Sequence, residues 1–406
     1  MSYDVAGIRA QFPTLERKVY GTKPLIFLDS AASAQKPLAV TDAMTDFMAT
    51  SYSNVHRGVH ALSQEATDAF EAARSKVAGF MNAEDREVIF TKNTTEGINL
   101  VAQAWGRKNL KPGDEILLTE LEHHANIIPW QLIAEEVGAK VQVIAIQDDG
   151  ALDMDDFHAK LNARTRMVAV AYVSNVLGTV LPVEEIIAAA HAQGALVLLD
   201  ASQAVTHKRV DVKALDVDFL AWTGHKLYGP TGIGVLYGKY DLLDAMPPFM
   251  GGGDMIETVS FTGSTYREPP FRFEAGTPAI VEAVGLAAAI DWVESVGIDA
   301  IAAHEADLLA YAMERLGASN DVQIFGTAPG KVSVLAFLLG EHHAHDVGTI
   351  LDRTGVALRV GQHCAEPLHQ RLGVHSTARA SFAAYNSRAD VDGLIDGLAV
   401  CRELLG

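Results

Sequence analysis

Short apolar runs bounded by turn residues alternate with longer stretches of helical periodicity over most of the first 240 residues. The runs EVIFT, DEILLTE, KVQVIAI, RMVAVAYVS, ALVLLDA, DFLAWTG and GVLYG predict strands, each short, rich in β-branched or aliphatic residues and nearly continuous in its hydrophobicity. Between them, TEGINLVAQAWGRK, NIIPWQLIAEEVG and PVEEIIAAAHAQG carry the 3.6-residue spacing of amphipathic helices. Strand and helix in regular alternation predict a mostly parallel sheet with helices on both faces, an α/β architecture. In such a sheet, ligands collect beyond the carboxyl ends of the strands.

From about Met246 the texture changes. PPFMGGGDMIETVSFTGSTYREPPFRFEAGTP is rich in Gly, Pro and Thr without sustained periodicity, and reads as an ordered connecting region. The helical stretch AIVEAVGLAAAIDWVESVG follows and leads into a smaller α+β unit ending at Gly406, with KVSVLAFLL and VALRVG as its strands. These shifts divide the chain into a large domain, 23–290, and a small C-terminal domain, 291–406. An N-terminal segment, 1–22, contains the amphipathic IRAQF stopped by Pro13; it can reach either domain and is assigned to the small one. No internal repeat or low-complexity tract is visible.

A length of 406 residues fits this division, because single cores rarely grow so large. With 49% hydrophobic and 20% charged residues the chain is globular rather than disordered. Its 32 basic and 51 acidic residues give −19, a balance that repels phosphate backbones and anionic lipid, so neither nucleic acid nor a membrane surface is an expected partner. The start, MSYDVAGIRAQFPTLERK, has no apolar signal core, and runs such as VSVLAFLLG stop short of a membrane span; a cytosolic protein is expected. The two cysteines, Cys364 and Cys401, are then both thiols. Cys401, in the helical LAVCRELLG, reads as a small buried hydrophobe.

Candidate chemistry gathers where strands end. In WTGHKLYGPTGIGVLYG, Lys226 follows DFLAW and precedes a glycine-rich turn; an amine desolvated there is suited to Schiff-base chemistry, although taken alone the stretch better fits a solvated loop lysine. Asp200 ends ALVLLDASQA, followed by Ser202 and Gln203, and could pair with a protonated pyridine nitrogen or simply cap a helix. Thr94 and Thr95 open a helix after EVIF, offering hydroxyls and free N–H groups to an anion, or serving as a plain cap. His123 and His124 follow DEILLTE, where an imidazole could stack on an aromatic cofactor and exchange protons with it. Neither this pair nor EHHAHD, residues 341–346, has the spacing of a metal site; the latter reads as a solvated helix start, and no metal is expected. Lys, Asp, Thr and His thus share one sheet edge, a convergence that points to pyridoxal 5'-phosphate. In RVGQHCAEPLH, Cys364 stands beside His363 on a short loop bracketed by Gly361 and Pro367.

Together these stretches resemble class V aminotransferase-type pyridoxal-phosphate enzymes, and specifically the SufS-like (group II) cysteine desulfurases. The similarity runs from LDSAASAQKP through VHRGVH, NTTEGINLVA, EHHANIIPW, SNVLGT, DASQA, TGHKLYGPTGIG, RFEAGTP and RVGQHCAEP to RASFAAYN, almost the whole chain. The resemblance implies a fold type I enzyme with a seven-stranded sheet. Lys226 would hold the cofactor covalently and move the substrate's Cα proton, His123 would stack on the ring, Asp200 would pair with its nitrogen and Gln203 with its phenolic oxygen. Thr95, Thr223 and His225, with Thr94 nearby, would hold the phosphate. Thr277 would reach it from a second subunit, making the enzyme a homodimer. Asn175 and Arg379 would bind the carboxylate of L-cysteine, with Arg359 close by, and Cys364 would accept the sulfur as a persulfide and pass it to an acceptor protein of the SufE or SufU kind, usually for iron–sulfur cluster assembly. Thr223 stands where the family often has Ser, and Gln362 where it often has His; both leave the assignment intact. The same fold also carries transaminases and selenocysteine lyases, and Cys364 separates the first of these, since transamination uses no thiol. A scaffold that has lost its chemistry would not keep the full set, and a thiol hydrolase would leave Lys226 unexplained.

Overall fold

The computed structural model describes residues 3–406. All seven apolar runs are strands of one sheet: β1 (Val88–Thr91), β2 (Glu115–Thr119), β3 (Lys140–Ile144), β4 (Thr165–Ala171), β5 (Leu196–Asp200), β6 (Phe219–Thr223) and β7 (Gly234–Gly238). Their order is β3-β2-β4-β5-β6-β7-β1, and every neighbouring pair is parallel except those of β7, which runs against both β6 and β1. Successive residues feed opposite cores. Leu199, Leu220, Trp222 and Val235 pack on one face, while Leu198, Phe219, Ala221 and Leu236 pack on the other. Burial on both faces is why these strands read as continuous apolar runs rather than as alternations. Only β3, at the edge, turns several residues to solvent. Because β1 and β6 both oppose β7, the carboxyl ends of β1, β2, β4, β5 and β6 lie along a single edge.

One close approach fixes the geometry at that edge. A Cβ on Gly234, the first residue of β7, would lie 2.5 Å from the Cα of Asn93, which is backbone and cannot rotate away. Asn93 in turn caps the helix Thr94–Leu100 by accepting from the Glu96 N–H. Gly234→Ala is therefore expected to destabilise the fold by about 1–3 kcal/mol, as overpacked interiors do, read as a lower thermal unfolding midpoint. An unchanged midpoint would mean that the cap relaxes freely.

The connecting region contains a two-stranded hairpin, Ile256–Ser260 with Gly263–Tyr266. Nearly all its side chains are exposed, with no buried face to impose a periodicity, so its strands leave no trace in the hydrophobic pattern. The helix Ile280–Val296 packs on Leu38–Thr50 and Ala61–Met81. The C-terminal unit is an antiparallel sheet in the order Val322–Phe325, Val334–Leu339, Thr377–Ser381, Arg359–Gly361, covered by the helices Ile298–Gly317, Ala344–Thr354 and Arg388–Leu405. Cys401 is buried in the core of this unit. His343 of EHHAHD is a helix cap, its ring nitrogen accepting from the His345 N–H.

The N-terminal segment touches both units. Tyr3 Oη donates to the Ala384 carbonyl and Arg9 pairs with Asp390 in the small unit, while Phe12 packs edge-on against both Trp292 and Tyr385 and lies 6.0 Å from Tyr228 of the large unit. Just beyond it, Ile26–Phe27 pairs in parallel with Val356–Ala357, and Asp29 bridges to Ser381. Among the described residues no helix is long and apolar enough to cross a membrane.

Candidate active site

A cavity of about 270 Å³ opens along the carboxyl edge of the sheet. Thr94, Thr95, His123, Asn175, Asp200, Gln203, Thr223, His225 and Lys226 line it from the large unit, and Arg359, Cys364 and Arg379 from the small sheet and the loop beside it. Each large-unit residue follows directly from a strand end, so the shared edge brings together positions far apart in the chain.

Asp200, the last residue of β5, has its carboxylate held by Ser202, whose backbone N–H and hydroxyl both donate to Oδ1 at 2.9 and 2.6 Å. The Ser202 and Thr94 hydroxyls are 2.7 Å apart, joining the ends of β5 and β1. Gln203 donates through Nε2 to the Ala31 carbonyl at 2.8 Å, which draws the LDSAAS stretch over the cavity. The Thr223 hydroxyl, at the end of β6, is buried without a partner. His123 accepts the Ala125 N–H at Nδ1, 3.0 Å, so its neutral ring carries the proton on Nε2.

At the other end, Arg379 is buried in the small sheet directly opposite Arg359. Its Nη1 donates to the Asn175 carbonyl at 2.8 Å, and its Nη2 lies 3.5 Å from Asp29, which also takes a 2.9 Å contact from Arg359. Two guanidiniums against one carboxylate leave one positive charge for an incoming anion. Arg379 Nε and Asn175 Oδ1 are buried without partners.

Cys364 is exposed to the cavity and to solvent on a tightly held loop. His363 and Cys364 both adopt left-handed backbone, φ 52° and 55°, where non-glycine residues are strained. Groups from the large unit grip the strained pair. Asn175 Nδ2 donates to the His363 carbonyl at 2.8 Å, the His124 N–H donates to the Cys364 carbonyl at 2.7 Å, and His124 Nε2 accepts the Glu366 N–H at 3.0 Å.

Burial lowers the Lys226 pKa to about 8; Asp200 opposes that shift and Arg379 adds to it. Burial and the Lys226 charge bring both His123 and His225 to about 4, so both rings are neutral near pH 7. Burial also lowers Arg379, but only to about 10, leaving it a cation. The free amine is the reactive form of Lys226. Capture of pyridoxal phosphate by cofactor-free protein should therefore slow by about tenfold per pH unit below about pH 8 and level off above it. Growth of the visible band reports the rate, and a profile still rising steeply at pH 10 would place the amine near its ordinary range.

These residues fit pyridoxal phosphate. A desolvated amine, a fixed carboxylate and an unpartnered buried hydroxyl near a helix start match its aldehyde, ring nitrogen and phosphate. Thr277 is not on this cavity. It lines a second concavity with Thr91, Lys92 and Glu96, so the two hollows flank opposite sides of the segment 91–96. Sequence reasoning gave no role to Asp29, nor to Asn93, which caps the helix at the cavity wall; the apolar run before LDSAAS marks Asp29 only as another strand end.

The family model for aminotransferase class-V matches residues 26–394. A cysteine desulfurase of Serratia proteamaculans is 53% identical over 408 residues, covering all of both chains, and one of Dickeya dadantii is 53% identical over 406 residues, covering all of this chain and 98% of its own. Among solved structures, the Escherichia coli cysteine desulfurase CsdA superposes with a TM-score of 0.92 at 42% identity over the whole of both chains. The apo cysteine desulfurase of Thermococcus onnurineus NA1 gives 0.93 at 40%, covering all of this chain and 98% of its own. With its lysine, aspartate, histidine and thiol gathered on one cavity, and with relatives matched end to end, the chain belongs to the class V aminotransferase family, among its cysteine desulfurases.

Proposed function

We propose that this enzyme holds pyridoxal 5'-phosphate through Lys226 and passes the sulfur of L-cysteine, as a persulfide on Cys364, to an acceptor protein of the SufE or SufU kind for iron–sulfur cluster assembly. The observation that carries the reading is the placement of Cys364 on the same cavity as Lys226, Asn175 and Arg379. When bound, the cofactor supplies an electron sink for the carbanion left by loss of the Cα proton. This chain's residues do the rest. Asp200, fixed by Ser202, keeps a proton on the ring nitrogen; Thr95, Thr223 and His225 hold the phosphate; Arg379 and Asn175 orient the substrate carboxylate. Lys226 takes the Cα proton and later returns one. The Cys364 thiolate attacks the substrate sulfur: the S–S bond forms, the C–S bond breaks with its electron pair going to carbon, and alanine leaves after protonation. Cysteine plus one enzyme thiol thus give alanine plus one enzyme persulfide, with no outside oxidant.

The position of Thr277, outside its own chain's cavity but against the same 91–96 segment, supports a homodimer in which it serves the neighbouring site. A cytoplasmic location agrees with a thiol that must cycle between reduced and persulfide forms. The test is alanine formation from L-cysteine with and without a SufE-type and a SufU-type protein. Strong stimulation by one of them is expected. An unstimulated rate with both, while Cys364 carries persulfide, would overturn the proposed acceptor class.

A further inference from the structure

Behind the Cys364 loop, three side chains form a hydrogen-bond chain whose direction is fixed at one end. His369 Nδ1 lies 3.0 Å from the Ala365 carbonyl, which can only accept, so Nδ1 carries the proton. In the neutral ring Nε2 is then bare, and it takes the Thr377 hydroxyl proton at 3.2 Å. That hydroxyl has one proton to give, so at its other contact, 3.0 Å from His363 Nε2, its oxygen accepts and His363 donates. The chain places the His363 proton on Nε2 and leaves Nδ1 a bare lone pair. His369 and Thr377 are fully buried and His363 is 7% exposed; Nδ1 itself is buried with no partner, on a residue that lines the cavity. Burial first, then Arg379, His369 and Arg359, lower the His363 pKa to about 2, so the ring stays neutral and the lone pair stays free.

We propose that His363 Nδ1 accepts a hydrogen bond from the thiol S–H of bound L-cysteine, and that His369 and Thr377 are positioning residues that hold His363 in the accepting tautomer. The proposal rests on the cysteine desulfurase reading of the site. Arg379 and Asn175 answer the substrate carboxylate, with Arg359 beside them, and its nitrogen would be taken by the cofactor that Lys226 holds. The S–H is the one proton-bearing group of the substrate not yet given an acceptor, since the Cys364 thiolate is directed at the sulfur itself. At an end of the cavity crowded with donors, His363 offers an acceptor. Alanine, the product, has no S–H and loses this contact, so the relay favours substrate over product.

The test uses Cys364→Ala holoenzyme, which binds amino acids without accepting sulfur. It is titrated with L-cysteine and with L-alanine through the cofactor's visible band. Adding Thr377→Val, which keeps the shape and removes the hydroxyl, should weaken cysteine by at least about threefold relative to alanine, while Thr377→Ser restores the preference. His369→Leu, which frees the direction of the Thr377 hydroxyl, should lower it as well. Nitrogen-15 shifts of labelled histidine should show the His363 proton on Nε2 in the parent and lose that preference in Thr377→Val. An unchanged cysteine-to-alanine ratio in Thr377→Val, or an equal loss in Thr377→Ser, overturns the proposal, as does an Nδ1–H signal for His363 in the parent. If the unsubstituted enzyme forms no alanine from cysteine, it is the functional reading that fails instead.

Discussion

Replacing Lys226 with alanine is expected to lower alanine formation from L-cysteine by about 10³-fold or more, because two functions disappear together. The amine that attaches the cofactor is gone, and so is the base that moves the Cα proton, a role worth about 10²–10⁴-fold by itself. The remaining cradle is independent of the lysine. Asp200 keeps both its Ser202 donors, the Ser202–Thr94 contact remains, and the Thr223 hydroxyl is still free. Pyridoxal phosphate should therefore still be retained, with the absorbance of the free aldehyde rather than of a lysine adduct. Folding should not suffer, since the substitution removes an ammonium that burial already disfavours. Alanine formation within tenfold of the parent enzyme would remove Lys226 from the centre of the mechanism.

Cys364→Ala separates sulfur transfer from cofactor chemistry. Protein-bound persulfide should vanish altogether, and with it acceptor-stimulated alanine formation, while the visible band and its response to added cysteine remain. No second thiol can substitute: Cys401 is buried in the core of the small unit, its Sγ directed to the Val347 carbonyl at 3.6 Å. The loop should keep its course, because alanine tolerates φ 55° no worse than cysteine does and all three gripping contacts are made to backbone atoms. Mass spectrometry after thiol labelling reads the result. Persulfide found on the variant would show that another group accepts the sulfur.

The large sheet was legible because burial on both faces leaves the same mark at every strand: a short, unbroken apolar run ending in a polar residue with work to do. Asp200, His123, Thr94 and Lys226 could each be placed at a strand end from that mark alone. The hairpin at 256–266 could not, since its side chains face solvent and carry no pattern. Contacts between distant segments were equally silent. Nothing in LDSAAS foretells that Asp29 will meet Arg359 and Arg379, more than 300 residues away in the chain. Nor does HQRLGVHSTARA show that His369 and Thr377 converge on His363. The role of Cys364 came from the family resemblance, whereas its local composition alone left a buried thiol open.

The grip on the Cys364 loop sets an energy scale for its motion. Backbone at φ 52° and 55° costs about 1–2 kcal/mol for each residue. The three hydrogen bonds from Asn175 and His124 each return about 0.5–1.5 kcal/mol net. The two sums nearly cancel, so it is the grip that keeps the strained backbone in place. Loss of a single contact of about 1.4 kcal/mol would lower the population of this backbone course by about tenfold relative to any other. Backbone strain and the grip that opposes it are thus of one size at the residue that would carry the sulfur.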